Sequence, residues 1–158
     1  MPVIDASVLI VSGKSGRLAL LKELFGSVTV SKEVRDEALR KPGSAEAIAL
    51  ENAVKENWVV VKGTSPPDGT LGKGESSSIS LAIQEKDILI IDDRKVAFVA
   101  STMGMECRGT PYLLFLGLKR GIIRDRKETI ELLAVFVANG LYLSSDVIAE
   151  FYALLERM

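Results

Sequence analysis

Apolar residues along this 158-residue chain fall alternately into short unbroken runs and into stripes at helical spacing. Val3-Ile4, Ser27-Val28-Thr29-Val30, Trp58-Val59-Val60-Val61, Ile88-Leu89-Ile90-Ile91 and Glu106-Cys107-Arg108 read as short strands. Between them the spacing predicts helices over about 16–25 (Leu18, Leu21, Leu24 and Phe25), 31–39, 44–56, 75–86, 94–103 and 110–120. Ser31 and Ser44 are good N-caps, and Lys41-Pro42-Gly43 ends the helix between them. In the helix from Ser44, the inward positions are Ala47, Ile48, Leu50, Ala53 and Val54. The Gly-, Pro- and Ser-rich stretch 63–74 reads as a loop. From about residue 127 the pattern is helical in two pieces separated by Asn139-Gly140. Strands apolar throughout, alternating with helices, describe an α/β fold whose parallel sheet is covered on both faces. With no repeat and no linker, residues 1–158 read as one domain, the C-terminal helices of about 127–158 included.

Composition narrows the chemistry. There is no histidine and only one cysteine, Cys107, so neither a Ser-His-Asp nor a Cys-His catalytic system can be assembled. A zinc site of imidazole and thiolate ligands is excluded for the same reason. Oxygen ligands remain, and these suit magnesium or manganese, hard cations that act on phosphate groups. With 20 basic and 21 acidic residues the global field attracts no polyanion, so a nucleic-acid partner has to be held by a local basic surface and by a metal. No apolar run approaches the ~20 residues of a membrane span, and no signal peptide is apparent. The chain is expected in the cytoplasm.

Acids stand where such a fold brings them together. Asp5 closes the first strand, Asp92-Asp93 close the strand 88–91, and Glu75 opens a helix after Leu71-Gly72-Lys73-Gly74. In open α/β sheets functional groups collect beyond the carboxyl ends of the strands. Clustered carboxylates stay ionised only if a cation neutralises them. Helical phase adds Glu37: with Val34 and Ala38 inward, Glu37 borders the buried stripe and Asp36 faces away, while Glu33 sits in the first turn. Ser7 offers a hydroxyl to orient a carboxylate or a water. Lys73, Arg94 and Lys95, each beside a candidate ligand, are placed to contact phosphates. Each residue also has a plainer role. Asp93 and Asp5 can cap the segments that follow them, Glu75 can oppose a helix dipole, and the three cations can simply be solvated.

Other phosphate chemistries fit less well. A haloacid-dehalogenase-like site wants a second acid two residues after the first, where Ser7 stands. Gly13-Lys14-Ser15 lacks the earlier glycine of a P-loop, since Val8 occupies that position.

Val3-Ile4-Asp5-Ala6-Ser7, Val34-Arg35-Asp36-Glu37, Gly72-Lys73-Gly74-Glu75 with Ile79-Ser80-Leu81-Ala82, and Leu89-Ile90-Ile91-Asp92-Asp93-Arg94 with Ala100 resemble the successive motifs of a PIN domain. The likeness extends to Gly109-Thr110-Pro111 and Lys119-Arg120-Gly121-Ile122-Ile123, segments shared with a prokaryotic VapC-like subfamily. Such a resemblance implies a three-layer α/β/α fold around a mainly parallel five-stranded sheet. It also implies a Mg²⁺- or Mn²⁺-dependent ribonuclease. By analogy Asp5, Glu37, Glu75 and Asp93 form the acidic constellation, with Asp92 contributing to it or standing in for Asp93. Family members often act as toxins held by a small antitoxin and often form homodimers. Ala97 departs from the basic residue of many relatives, and Ala6 from the usual Thr or Ser. The alternative is an inactive PIN-like interaction module. Its support is the helix over 128–139, apolar along both Ile130, Leu133, Ala134 and Val137 and along Leu132, Val135 and Phe136.

Overall fold

The computed structural model describes residues 1–64 and 73–158, with the backbone alone for residues 73–75. Successive side chains on a strand point to opposite faces, and here both faces are dry. In β1 (Val3–Ile4) and β4 (Leu89–Ile90), Val3 and Leu89 enter one core, Ile4 and Ile90 the other. With β2 (Val28–Ser31), β3 (Val59–Lys62) and β5 (Cys107–Arg108) they form a five-stranded sheet among the described residues. The order is β3-β2-β1-β4-β5 and every neighbouring pair is parallel. The direction of winding therefore reverses between β1 and β4.

The connecting helices are α1 (Ala6–Lys14), α2 (Ala19–Phe25), α3 (Lys32–Ala38), α4 (Ala45–Lys55), α5 (Lys73–Glu85), α6 (Arg94–Thr102), α7 (Thr110–Lys119), α8 (Arg126–Ala138) and α9 (Ser145–Glu156). One face of the sheet packs on α5 and α6 through Ile79, Leu81, Ala82, Val96 and Ala100. The larger core on the other face gathers residues of α1 to α4 and α7 to α9, with Phe136 and Phe151 among its largest members. This is the expected three-layer α/β/α arrangement. No helix among the described residues is long and apolar enough to cross a membrane.

Local signals account for most boundaries. The Ser31 and Ser44 hydroxyls accept from the amides of Val34 (3.1 Å) and Ala47 (3.3 Å), each meeting one orphan donor of a helix start. Other expectations need correction. Residues 6–14 form α1, a helix that the apolar run Val8-Leu9-Ile10-Val11 does not announce, and α2 covers only the second part of 16–25. Helix α5 begins at Lys73, inside the stretch read as loop; residues 65–72 of that stretch lie outside the described residues. Ile48, read as inward, is 49 % exposed, because α4 buries Glu46, Ala47, Leu50 and Ala53 against α1 instead. That contact is close: a Cβ on Gly13 would stand 2.8 Å from Glu46 Cα. In α8 one apolar side is buried through Leu132, Leu133 and Phe136, whereas Val135 and Val137 are 41 % and 46 % exposed.

Candidate active site

The pairing of Val3 with Leu89 and Ile4 with Ile90 brings the carboxyl ends of β1 and β4 level, so Asp5 and the segment 91–93 emerge side by side where the winding reverses. The Asp5 amide donates to Ile90 O at 3.0 Å, continuing the ladder one residue past the strand. Asp5 then occupies the N-cap position of α1, yet its side chain makes no capping hydrogen bond. Instead Oδ1 accepts from the Ser78 hydroxyl of α5 at 2.9 Å, and the residue is only 5 % exposed. Ser76, Ser77 and Ser78 are all buried, and Ser77 shares a 2.7 Å hydroxyl contact with Ser31 of β2. Small hydroxylated side chains thus seat α5 on the sheet and turn one hydroxyl toward Asp5.

The two aspartates after β4 are used differently. Both oxygens of Asp92 are taken by Thr110, Oδ1 by its amide and Oδ2 by its hydroxyl, each at 2.7 Å. Asp92 thereby caps the start of α7 from a neighbouring loop, and a Cβ at Gly109 would approach its Oδ1 to 2.8 Å. Burial raises the Asp92 carboxyl above the ordinary range, with the Thr110 hydrogen bonds opposing that shift. Asp93 caps α6: its Oδ1 accepts from the amides of Lys95 (2.9 Å) and Val96 (3.1 Å), and the residue is exposed.

Asp5, Ser7, Glu37, Asp93, Lys14 and Asn139 are among the residues lining one cavity of about 330 Å³. Glu37 reaches it half-buried from α3, with Val34 and Ala38 buried beside it and Asp36 exposed, as the helical phase requires. The Glu33 carboxylate has its Oε2 buried with no hydrogen-bond partner among the described residues. Among the described residues no three acids or thiols stand close enough to hold a single ion. The side chains of Glu75 and Lys73 lie outside the described residues; the backbone of residue 75 is in the first turn of α5, three positions before Ser78. Arg94 and Lys95 are exposed on the wall of a second, adjoining cavity of about 700 Å³, which shares Ser7, Val11, Asp93 and Gly140 with the first.

Four contributors are missed by sequence reasoning. Ser78 is a hydrogen-bond partner of the buried Asp5 and Thr110 one of the half-buried Asp92, and Lys14 and Asn139 line the acid cavity. Ser78 had a detectable signal, a serine one helical turn after Glu75. Lys14 had none while α1 went unread. Its ammonium stands 3.8 Å from Glu46, whose carboxyl is held below its usual range by the Ser44 hydroxyl first, against burial, and further by Lys14 and Lys41. Burial pushes the Cys107 thiol above its ordinary range.

A doubly wound parallel sheet with carboxylates at its switch point defines an α/β domain of the open-sheet class, in which ligand-binding groups generally collect at that point. The family model DUF3368, a PIN domain, matches residues 1–157, and the chain belongs to the PIN domain family. Among solved structures it is similar to a PilT N-terminus domain protein, SSO1118, from the archaeon Sulfolobus solfataricus P2. The TM-score is 0.52 at 22 % identity, over 74 % of this chain and 92 % of that one, a likeness of fold. No curated protein matches the sequence. PIN domains are generally nucleases and usually use divalent metals. The oxygen donors around the acid cavity fit that use: they are the carboxylates of Asp5, Glu37 and Asp93, the Ser7 hydroxyl and the Asn139 amide oxygen, with no soft ligand among the described lining residues, while Lys14 brings one cation to the same wall.

Proposed function

We propose that this protein is a Mg²⁺- or Mn²⁺-dependent endoribonuclease that hydrolyses RNA phosphodiesters at the cavity beyond β1 and β4. The observation that carries the reading is Asp5, a buried carboxylate at a helix start that does not cap the helix and faces a cavity it shares with Glu37 and Asp93. Asp5, Glu75 and Asp93 hold the metal, and Glu37 completes the acidic set. Asp92 supports the site by fixing α7, since Thr110 occupies both its oxygens. When bound, the ion supplies charge neutralisation at the phosphate and an acidified water at neutral pH. The chain's own residues do the rest. Ser78 holds Asp5 in orientation, Ser7 presents an exposed hydroxyl beside it for the attacking water, and Lys73, Arg94 and Lys95 position the flanking phosphates. A histidine base is not required.

As part of the same proposal, the protein acts in the cytoplasm as a single-domain toxin restrained by a small antitoxin, and it forms a homodimer. A second reading, an inactive PIN-like interaction module, is favoured by the exposed Val135 and Val137 on α8. RNA cleavage separates the two. Purified protein is expected to cut cellular RNA in Mg²⁺ or Mn²⁺ and to stop in EDTA, and Asp5→Asn and Glu75→Gln are expected to fold normally and to be inactive. Metal-dependent cleavage retained by both variants refutes the assignment.

A further inference from the structure

Apart from Asp92 and Asp93 the larger cavity is lined mainly by apolar, aromatic and basic residues, a surface that a phosphate-hydrolysing centre does not itself need. Leu141, Leu143 and Val147 line it together with the rings of Tyr112 and Tyr142, and Arg94, Lys95 and Arg108 stand around it. Its volume, about 700 Å³, lies within the usual range of small-ligand pockets. Tyr142 is 84 % exposed, the most exposed large apolar or aromatic side chain among the described residues. Its backbone is nevertheless anchored on both sides. The Leu141 amide donates to Phe136 O at 3.0 Å, Leu141 is buried, and Leu143 packs against the main core, so the residue between them is turned outward. Elsewhere on the lining the Arg108 guanidinium lies 5.6 Å from the Tyr112 ring centre.

We propose that this cavity receives an unpaired nucleobase of single-stranded RNA, stacked on Tyr142, next to the phosphate bound at the acid cavity. The occupant follows from two features. The pocket runs into the acid cavity through Ser7, Asp93 and Gly140, and its cations complement a phosphate backbone while its walls suit a π-face. Proteins read single-stranded RNA by splaying bases onto aromatic rings and guanidinium planes. The inference rests on the ribonuclease reading for its orientation, and it makes Tyr142 a specificity residue that selects unpaired substrate.

The test is fluorescence anisotropy with a short labelled single-stranded RNA of mixed sequence, the same RNA with abasic sites, and its duplex, all in Ca²⁺ in place of Mg²⁺ or Mn²⁺, so that the acids are neutralised and binding is read apart from turnover. Tyr142→Ala is expected to weaken single-strand binding by about 5- to 150-fold, the worth of one stacked base. Tyr142→Phe is expected to keep wild-type affinity, and Ala97→Phe, which fills the cavity wall, to lose what Tyr142→Ala loses. Abasic and duplex RNA are expected to bind wild type and Tyr142→Ala alike. Unchanged single-strand affinity in Tyr142→Ala, or an equal loss on abasic RNA, overturns the proposal. So does a change of oligomeric state in Tyr142→Ala with RNA binding intact, which identifies a protein as the occupant. A wild type that cleaves RNA but binds it independently of Tyr142 defeats this inference alone. One that binds through Tyr142 yet never cleaves defeats the ribonuclease reading alone.

Discussion

Replacing Ser78 by alanine removes a single oxygen and isolates the support of Asp5. Ser78 is fully buried on α5, and its hydroxyl donates to Asp5 Oδ1 at 2.9 Å. A hydrogen bond to a charged acceptor is worth about 1.5–3 kcal/mol. Alanine returns roughly 0.5 kcal/mol through its better helix propensity, so Ser78→Ala is expected to cost about 1–2.5 kcal/mol. Urea unfolding at neutral pH in EDTA reads that loss without metal. The same change frees the carboxylate to rotate, and loss of an outer hydrogen bond to a metal ligand typically lowers metal affinity or activity about 10- to 100-fold. A Mn²⁺ titration followed by thermal unfolding is therefore expected to need correspondingly more ion than wild type. If Ser78→Ala matches wild type both in urea midpoint and in Mn²⁺ midpoint, Ser78 does not hold Asp5 in the way described.

Two further substitutions test the surrounding structure. Asp92→Ala is expected to cost about 1–3 kcal/mol by leaving the Thr110 amide unsatisfied at the start of α7, whereas Asp92→Asn keeps an acceptor and is expected to lose less. Because burial raises the Asp92 carboxyl, the native state takes up a proton more readily than the unfolded chain, and its contribution is greatest below the unfolded value near 3.9 and declines as pH rises through the folded one. Wild-type stability relative to Asp92→Asn should therefore fall with rising pH, and the opposite slope in urea titrations refutes the assignment. Gly13→Ala is expected to destabilise by about 1–3 kcal/mol, against the helix propensity of alanine, because its Cβ meets Glu46 Cα at 2.8 Å; a variant more stable in urea contradicts the α1–α4 contact.

The centre of the sheet was legible because β1, β2 and β4 are buried on both faces, so Val3-Ile4 and Ile88-Leu89-Ile90-Ile91 carry no polar alternation to mistake for anything else. The same property hid α1. Val8-Leu9-Ile10-Val11 is apolar and partly β-branched, and a helix enclosed on most sides shows neither a clear stripe nor favourable propensity. Burial against the sheet and α4 overrides both. Among the acids, Asp5, Asp93 and Glu37 were placed by strand ends and helical phase, which are local. The different employment of Asp92 was not legible, since it depends on Thr110, 18 residues further on, folding back across β5. Ile48 shows the limit of an amphipathic stripe: the packing of α4 on α1 determines which edge of the stripe is covered.

The account turns on whether a divalent ion binds where Asp5 meets the other acids. Thermal unfolding of wild type and Asp5→Asn with Mn²⁺ against EDTA asks this without any RNA. An ion at 100 times its dissociation constant adds about 2.7 kcal/mol to a site that only the folded state possesses. For a chain of this size that is roughly 5–11 °C in Tm. Wild type should rise by that amount and Asp5→Asn should not; an equal rise in both, or none in wild type, contradicts a metal centre built on Asp5.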